Sequence, residues 1–577
     1  MNTVSKLLLC IASLTVSASA FASQPVCGKL DYRKLNKRAA KEYRIPIRPY
    51  VPGKSPCWNT YAKDFKFAPV FDFAPVEGAA LYRYTVYQNP TDSYFWTVPM
   101  QQRPDNKFPS HHPTDITAGF FEDLDINAPG ALSWSFDAAT PNESLAPIWE
   151  KIPAGNSCLV VEAVDASGKT IGEAGRRLFI RDFPFAGPYP EAPRPYLESA
   201  LRGAWYVHTM PGIQYWKNHA EPDLSYKHNT YPCKVIGATV RLEVLLARLA
   251  PAAAEECITI ATNATRFLIE ESQKPGSPLA YFPPTYYKGQ IASAAEENKG
   301  NTMMMEASMA AQAFLDMYDY TGDKAYFEHA IGIADTYRRL QAEDGSFPVK
   351  VSVATGEAAA PGKAMLHHLL FFLQRLHKQY GIDKYMDCMT RGEKWMHENP
   401  VREFDMHGQF EDVSVNGWKP YQNLTNATSG PYASYLLRKD EVTAEDMKDV
   451  NDIMQLCEDQ FVHWDALPNR KGFRQIPTPG VYEQYQYRVP IDCSNCNVAN
   501  AWLDIYELTG DKLAFAKAKA LVDAIVIVQN ACNGRIETTW DMRPYKGDLN
   551  RAFWVNCTLS SVQTILRMAE LTGEIEN

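Results

Sequence analysis

The alternation of apolar and polar positions is clearest between residues 301 and 341, and the rest of the chain can be read from it. Met303, Met304, Ala307, Ala310, Ala311, Phe314 and Leu315 leave residues 303–315 apolar or small on almost every side, as in a helix buried all round. Beyond Thr321, Gly322 and Asp323 the pattern becomes one-sided. Tyr326, Phe327, Ala330, Ile331, Ala334 and Tyr337 recur at helical spacing, opposite Lys324, Glu328, Asp335, Arg338 and Arg339. Gly322 can end the first helix in a left-handed conformation, and Asp323 can cap the second. The stretch predicts a hairpin of one inner and one outer helix.

The junction recurs. Thr509, Gly510 and Asp511 repeat it, Gly381 to Asp383 is a looser copy, and Thr572 and Gly573 stand at the chain end. Weaker breaks fall at Lys439 and Asp440 and at Leu249 to Pro251. Units of roughly 60–70 residues, each burying its face on its neighbours, are the mark of a helical repeat. Six junctions predict six inner helices. The sixth leaves no chain for its own outer partner, so that partner is expected before the first inner helix, near residues 196–206. Such a partner closes a ring: an all-α (α/α)6 toroid rather than an open solenoid. These junctions, and the block Asn301, Thr302, Met303, Met304 expected to open an inner helix, resemble the six-hairpin glycosidase superfamily over 195–577. The block is similar to the Asp-Thr-Met-Met-Asn signature of unsaturated glucuronyl hydrolases, with Asn301 where that family has its catalytic aspartate. The resemblance implies a sugar-cleaving enzyme acting on uronates.

Ahead of the toroid the pattern differs. Lys6, the apolar run 7–16 and the small residues around Ala20 and Ala22 read as a signal peptide over 1–22, so the mature protein is expected to be exported, periplasmic or secreted. Residues 23–64 form a basic arm. Apolar or alternating runs at 67–73, 81–87, 158–164 and 177–181, separated by Gly and Pro turns, predict a β-sandwich of fibronectin or immunoglobulin type over 65–183. A proline-rich linker follows at 184–195, and the toroid is expected over 196–577.

The net charge of −9, without a basic block beyond the arm, argues against nucleic acid and against a membrane-binding patch. Of the twelve cysteines, Cys27 and Cys57 are placed to pair if the compartment is oxidising. Cys493, Cys496, Cys557 and Cys233 start neighbouring inner helices, where metal ligation is one reading. They are read instead as small buried thiols, and no metal or cofactor is expected.

Loops entering the inner helices are long (275–301, 343–363, 408–429, 465–492, 533–553), whereas the opposite junctions are tight turns. The site is therefore expected on the loop face. Its aromatics (Tyr287, Trp418, Tyr485, Tyr487, Trp540, Trp554) offer stacking surfaces for sugar rings. Hydrolysis of a glycoside needs a protonated acid and an ionised partner. Glu297, Glu411, Asp412, Glu483 and Asp492 are the preferred carboxylates, chosen from a set that includes Glu296, Glu306, Asp344 and Glu537. Arg488 and Arg543, among other loop arginines, are candidate forks for a uronate. His228 is preferred over His219, His367 and His368 as a substrate contact. The expectation is a glycoside hydrolase, such as a glucuronidase, acting on an acidic oligosaccharide or polysaccharide. A uronate-cleaving polysaccharide lyase with a tyrosine or histidine base is one alternative, and a non-catalytic glycan-binding protein is another.

Overall fold

A computed structural model describes residues 28–45, 61–62, 64–69, 76–89, 118–119, 124–126, 149, 152, 154–288, 295–415, 419–465, 477–540 and 553–575. Its helices follow the junction code. Glu306–Thr321 (α5) ends on Gly322 at φ 75°, and Asp323 then caps Lys324–Leu340 (α6) by accepting from the Ala325 amide at 3.0 Å. Asp511 does the same for Lys512–Val528 (α12), accepting from Leu513 at 2.8 Å. A left-handed turn here is cheap only for glycine.

The inner helices are Gly237–Leu249 (α3), α5, His367–Tyr380 (α7), Asn426–Leu437 (α9), Asp492–Thr509 (α11) and Val555–Thr572 (α13). Each packs on the next, and α13 packs back on α3, so the ring is closed. Outside them lie Ala254–Glu270 (α4), α6, Met386–Met396 (α8), Ala444–Gln460 (α10) and α12, each against its own inner helix. The sixth outer helix, Tyr196–His208 (α2), comes from upstream and packs on α13, as closure required. The inner ring is tight: a Cβ on Gly430 of α9 would lie 2.9 Å from the Asn497 carbonyl oxygen of α11. Among the described residues no helix is long and apolar enough to cross a membrane.

In the upstream region the described residues do not show the expected sandwich. Leu81–Asn89 (β2), Gly155–Val164 (β5) and Thr170–Arg181 (β6) form an antiparallel meander. Asp64–Phe65 (β1) pairs parallel to β6, while Ala118–Gly119 (β3) and Leu124–Ile126 (β4) pair with β2. All belong to one sheet, and the described residues of this region form no second sheet to face it. The sheet is instead tied to the ring. Lys66 is buried with its Nζ 2.7 Å from Asp182, and its amide donates to Asp459 at the end of α10 at 2.6 Å. The arm is helical over Tyr32–Glu42 (α1) and packs on α12, where Arg38 grips Asp511 through two bonds of 2.6 Å. Cys27 and Cys57 lie outside the described residues.

Candidate active site

A cavity of about 980 Å³ runs into the ring from the loop face. Its charged wall is assembled from four places in the sequence. Lys234 stands in a single π-helical turn, Pro232–Ile236, that leads into α3. Glu306 is the first residue of α5. Glu411 and Asp412 lie on the irregular segment between α8 and α9, where the Tyr286 hydroxyl donates to the Glu411 carbonyl at 3.1 Å. Glu483 comes from Gly480–Gln484 (β9), whose backbone is fixed by Thr425 and Asn426 donating to the Glu483 carbonyl at 2.6 and 3.0 Å.

These groups are not equivalent. The Lys234 ammonium donates to both Glu411 oxygens, at 2.8 and 2.9 Å. Burial opposes the charge on Lys234, but Glu411, Asp412 and Glu306 outweigh it and raise the ammonium's pKa. Glu306 is pushed well above the usual carboxylate range by burial and then by Glu411 beside it, so it holds its proton. Burial, followed by the charge of Glu411, raises Asp412 to about 6. Burial, followed by Asp412, raises Glu483 to about 7. One lysine–carboxylate pair therefore stands among three carboxyls whose proton affinities are raised to different degrees, a division of labour suited to acid–base chemistry.

The remaining wall mixes rings and thiols. Phe410, Trp554, Tyr487, His367, His368, Cys493 and Cys557 all line it. Lys234 Nζ lies 5.0 Å from the Trp554 ring centre and 5.7 Å from that of Phe410. The imidazoles of His367 and His368 lie 4.0 Å apart at a tilt of 44°, and among the described residues neither ring nitrogen of the buried His367 has a partner. Burial, then His368, holds His367 well below the ordinary histidine value; burial, then Lys234, brings His368 to about 4. Both are neutral at physiological pH.

Of the carboxylates preferred from sequence, Glu411, Asp412 and Glu483 line the cavity together. Glu297 does not. It accepts from Lys350 Nζ at 2.6 Å and Ser414 Oγ at 2.5 Å, and those bonds hold its carboxyl below the usual range against the pull of burial. Its expected neighbour Asn301 opens no helix: Asn301–Met303 (β7) is a strand paired with Lys350–Ser352 (β8), and the helix begins at Glu306. Asp492 is buried at the start of α11, accepting from Ser561 Oγ at 2.9 Å and the Cys493 amide at 2.8 Å.

Among the expected substrate contacts, Tyr487 and Trp554 line the cavity. His228 is buried behind Trp554, its ring stacked 3.8 Å from the indole, and supports that side chain rather than facing the cavity. Tyr485 is buried, donating to Gln460 at 2.7 Å, and Trp540 is buried, donating to the Glu537 carbonyl at 3.0 Å. Tyr287 lies away from the cavity against Phe267, with its hydroxyl on Glu221 at 3.2 Å. Arg488 corrects the uronate-fork expectation. It is buried, its guanidinium pairs with Asp64 of β1, and it lies 5.1 Å over the Tyr482 ring. Trp418 and Arg543 lie outside the described residues. Lys234 and Phe410 were not anticipated. A lysine inside the apolar run 231–240 was the available signal for the first.

Cys496 does not line the cavity and sits 3.6 Å from Ser561 Oγ, while Cys233 lines it but donates to the Pro283 carbonyl at 3.3 Å. Cys493, Cys557 and Asp492 do converge, with sulfurs and carboxylate oxygen within 4.8 Å of one another.

No protein-family model matches the chain, and no curated protein matches it. Solved structures are similar at low identity. A family 76 glycoside hydrolase from a bovine Bacteroides thetaiotaomicron strain is 9% identical with a TM-score of 0.43, over 88% of this chain and 98% of that one. An unsaturated glucuronyl hydrolase from Streptococcus agalactiae is 12% identical with a TM-score of 0.43, over 66% and 93%. A D-mannose isomerase is 11% identical with a TM-score of 0.47, over 67% and 100%. At such identities and scores these likenesses carry no argument about chemistry, and the six-hairpin toroid itself rests on the helix contacts described above.

Proposed function

We infer that the protein is an exported glycoside hydrolase whose site is the carboxyl-lined cavity of the toroid. The observation that carries this reading is the group Lys234, Glu411, Asp412 and Glu483 in one aromatic-walled cavity, with carboxyls set apart in proton affinity. Glu483, raised to about 7, is the general acid that protonates the leaving oxygen. Glu411, paired with Lys234, together with Asp412, supplies the negative charge that activates water or stabilises the sugar cation. Phe410, Tyr487 and Trp554 offer the surfaces on which sugar rings stack.

The uronate preference drawn from Arg488 has lost that support. Lys234 is occupied by Glu411, and the other cations lining the cavity are paired: Arg241 with Asp316, Arg375 with Asp316 and Asp319, Lys378 with Asp440, Arg438 with Asp504. Among the described residues the wall therefore suits a neutral sugar better than an acidic one. The β-elimination alternative has lost the same anchor.

The test is incubation with matched neutral and uronate-containing oligosaccharides, read by mass and ultraviolet absorbance. Products carrying one added water, and a fall in kcat of about 10²-fold or more in Glu483→Gln with unchanged melting, are expected. An absorbing unsaturated product without added water would establish the lyase. Binding without turnover of any glycoside would establish the binding protein.

A further inference from the structure

The cysteines of the cavity wall were expected to be inert, and their placement says otherwise. Asp492 and Cys493 open α11, and Cys557 lies in the first turn of α13. These inner helices are neighbours in the ring, so their first turns meet at the cavity. Two sulfurs and a carboxylate oxygen come within 4.8 Å of one another there. Asp492 is fully buried, and among the described residues no lysine, arginine or histidine pairs with it. A buried carboxylate without a cation is costly. Both its oxygens are already oriented, Oδ2 by the Ser561 hydroxyl and Oδ1 by the Cys493 amide, which is how outer groups aim a metal ligand. Asn556 Nδ2 donates to the Cys557 sulfur at 3.6 Å.

We propose that Asp492, Cys493 and Cys557 hold one zinc-class divalent cation, with its remaining position open to the cavity. Two thiolates make the set soft, which selects zinc over magnesium or calcium. Three protein ligands beside a cavity leave room for one exogenous oxygen, the arrangement in which zinc activates water or polarises a substrate oxygen. Cys493 and Cys557 both line the cavity, so the open position faces the substrate. The binding claim is independent of the hydrolytic reading, because the ion is measured without substrate.

The experiment uses the full chain, purified without chelator or affinity histidines and supplied with zinc, then dialysed and analysed for metal. About one zinc per chain is expected. Replacement by cobalt(II) should give thiolate-to-cobalt charge-transfer bands in the near ultraviolet and the visible bands of a tetrahedral ion. Cys493→Ser and Cys557→Ser should weaken binding by more than about tenfold. Cys532→Ser, an exposed cysteine outside the cluster, should change nothing. If Cys557→Ser fails to fold, zinc protection of Cys493 from alkylation in the unmodified chain decides the matter together with the cobalt spectrum. The proposal is overturned by absence of stoichiometric metal, by a cobalt spectrum without thiolate bands, or by binding that survives both serine variants. It is equally overturned by an intact mass two hydrogens light that maps to a Cys493–Cys557 disulfide.

Discussion

Lys234 is the cation on which the charged wall depends, and replacing it with methionine tests that dependence. Methionine keeps most of the stem and removes the ammonium that bonds both oxygens of Glu411. Glu411 is then a buried carboxylate beside Glu306 and Asp412, and breaking a buried pair by removing one partner costs about 3–5 kcal/mol. The variant can lower that cost by taking up a proton on Glu411. Protonating a carboxyl of ordinary pKa near 4.3 costs about 3.7 kcal/mol at pH 7 and about 1 kcal/mol at pH 5. The charge component of the cost is therefore capped near 4 kcal/mol at pH 7 and near 1 kcal/mol at pH 5. The sign follows from linkage: a carboxyl whose folded pKa is raised stabilises the fold at low pH, and that contribution is lost as pH rises through the folded value. Urea and thermal unfolding of both proteins at pH 5, 6 and 7 should show a deficit that shrinks on acidification. Glu411→Gln added to Lys234→Met should recover most of it, because the buried charge is gone. A deficit equal at pH 5 and 7, or no recovery in the double variant, would refute the account.

Two further outcomes follow from the contacts between the sheet and the ring. Arg488→Ala should lower stability by about 3–5 kcal/mol by leaving Asp64 buried without its guanidinium. It should affect neutral and uronate substrates alike, so a selective loss on uronates with unchanged melting would restore Arg488 as a substrate fork. Asp182 is held below its ordinary value of 3.8 by Lys66 and His463 against burial, so its contribution is complete above that value and drains away as pH falls below it. Asp182→Asn should therefore destabilise at pH 7 while reducing the acid sensitivity of unfolding, and acid titration of the melting midpoint in both proteins checks this.

The ring was legible because its code is local. Gly322 and Gly510 in left-handed turns, followed by the caps Asp323 and Asp511, mark two of the junctions within a few residues, and the others are looser copies. Closure then located α2 by counting partners. The upstream sheet was harder to read. A strand with one apolar face looks the same whether that face meets a second sheet or something else, and here Phe65 and Phe67 bury themselves with Trp149, Phe179 and the ends of the toroid helices. Asn301 was misassigned for a related reason. Three residues before an apolar helix can extend that helix or pair as a strand, and only Lys350–Ser352, some fifty residues away, decides for β7.

The site was legible where position along the loop was enough and illegible where facing mattered. Glu411, Asp412 and Glu483 needed only to sit on the loop face. Arg488 needed the parity of its strand. Tyr487–Pro490 (β10) turns successive side chains to opposite sides, so once Tyr487 faces the cavity its neighbour Arg488 faces away, toward β1. Placing both on the cleft contradicted the period-two geometry that identifies a strand in the first place. Lys234 and Glu306 teach the complementary point. Each is a charged residue inside a run that is otherwise apolar, at the mouth of an inner helix where the packing pattern calls for none. A charge there must be compensated by a partner from elsewhere in the ring. Lys234 and Glu411, 177 positions apart, are such partners. In a toroid whose inner helices bury most of their surface, an unexplained charge at a helix mouth is thus a stronger pointer to the cavity than any single carboxylate on an already polar loop.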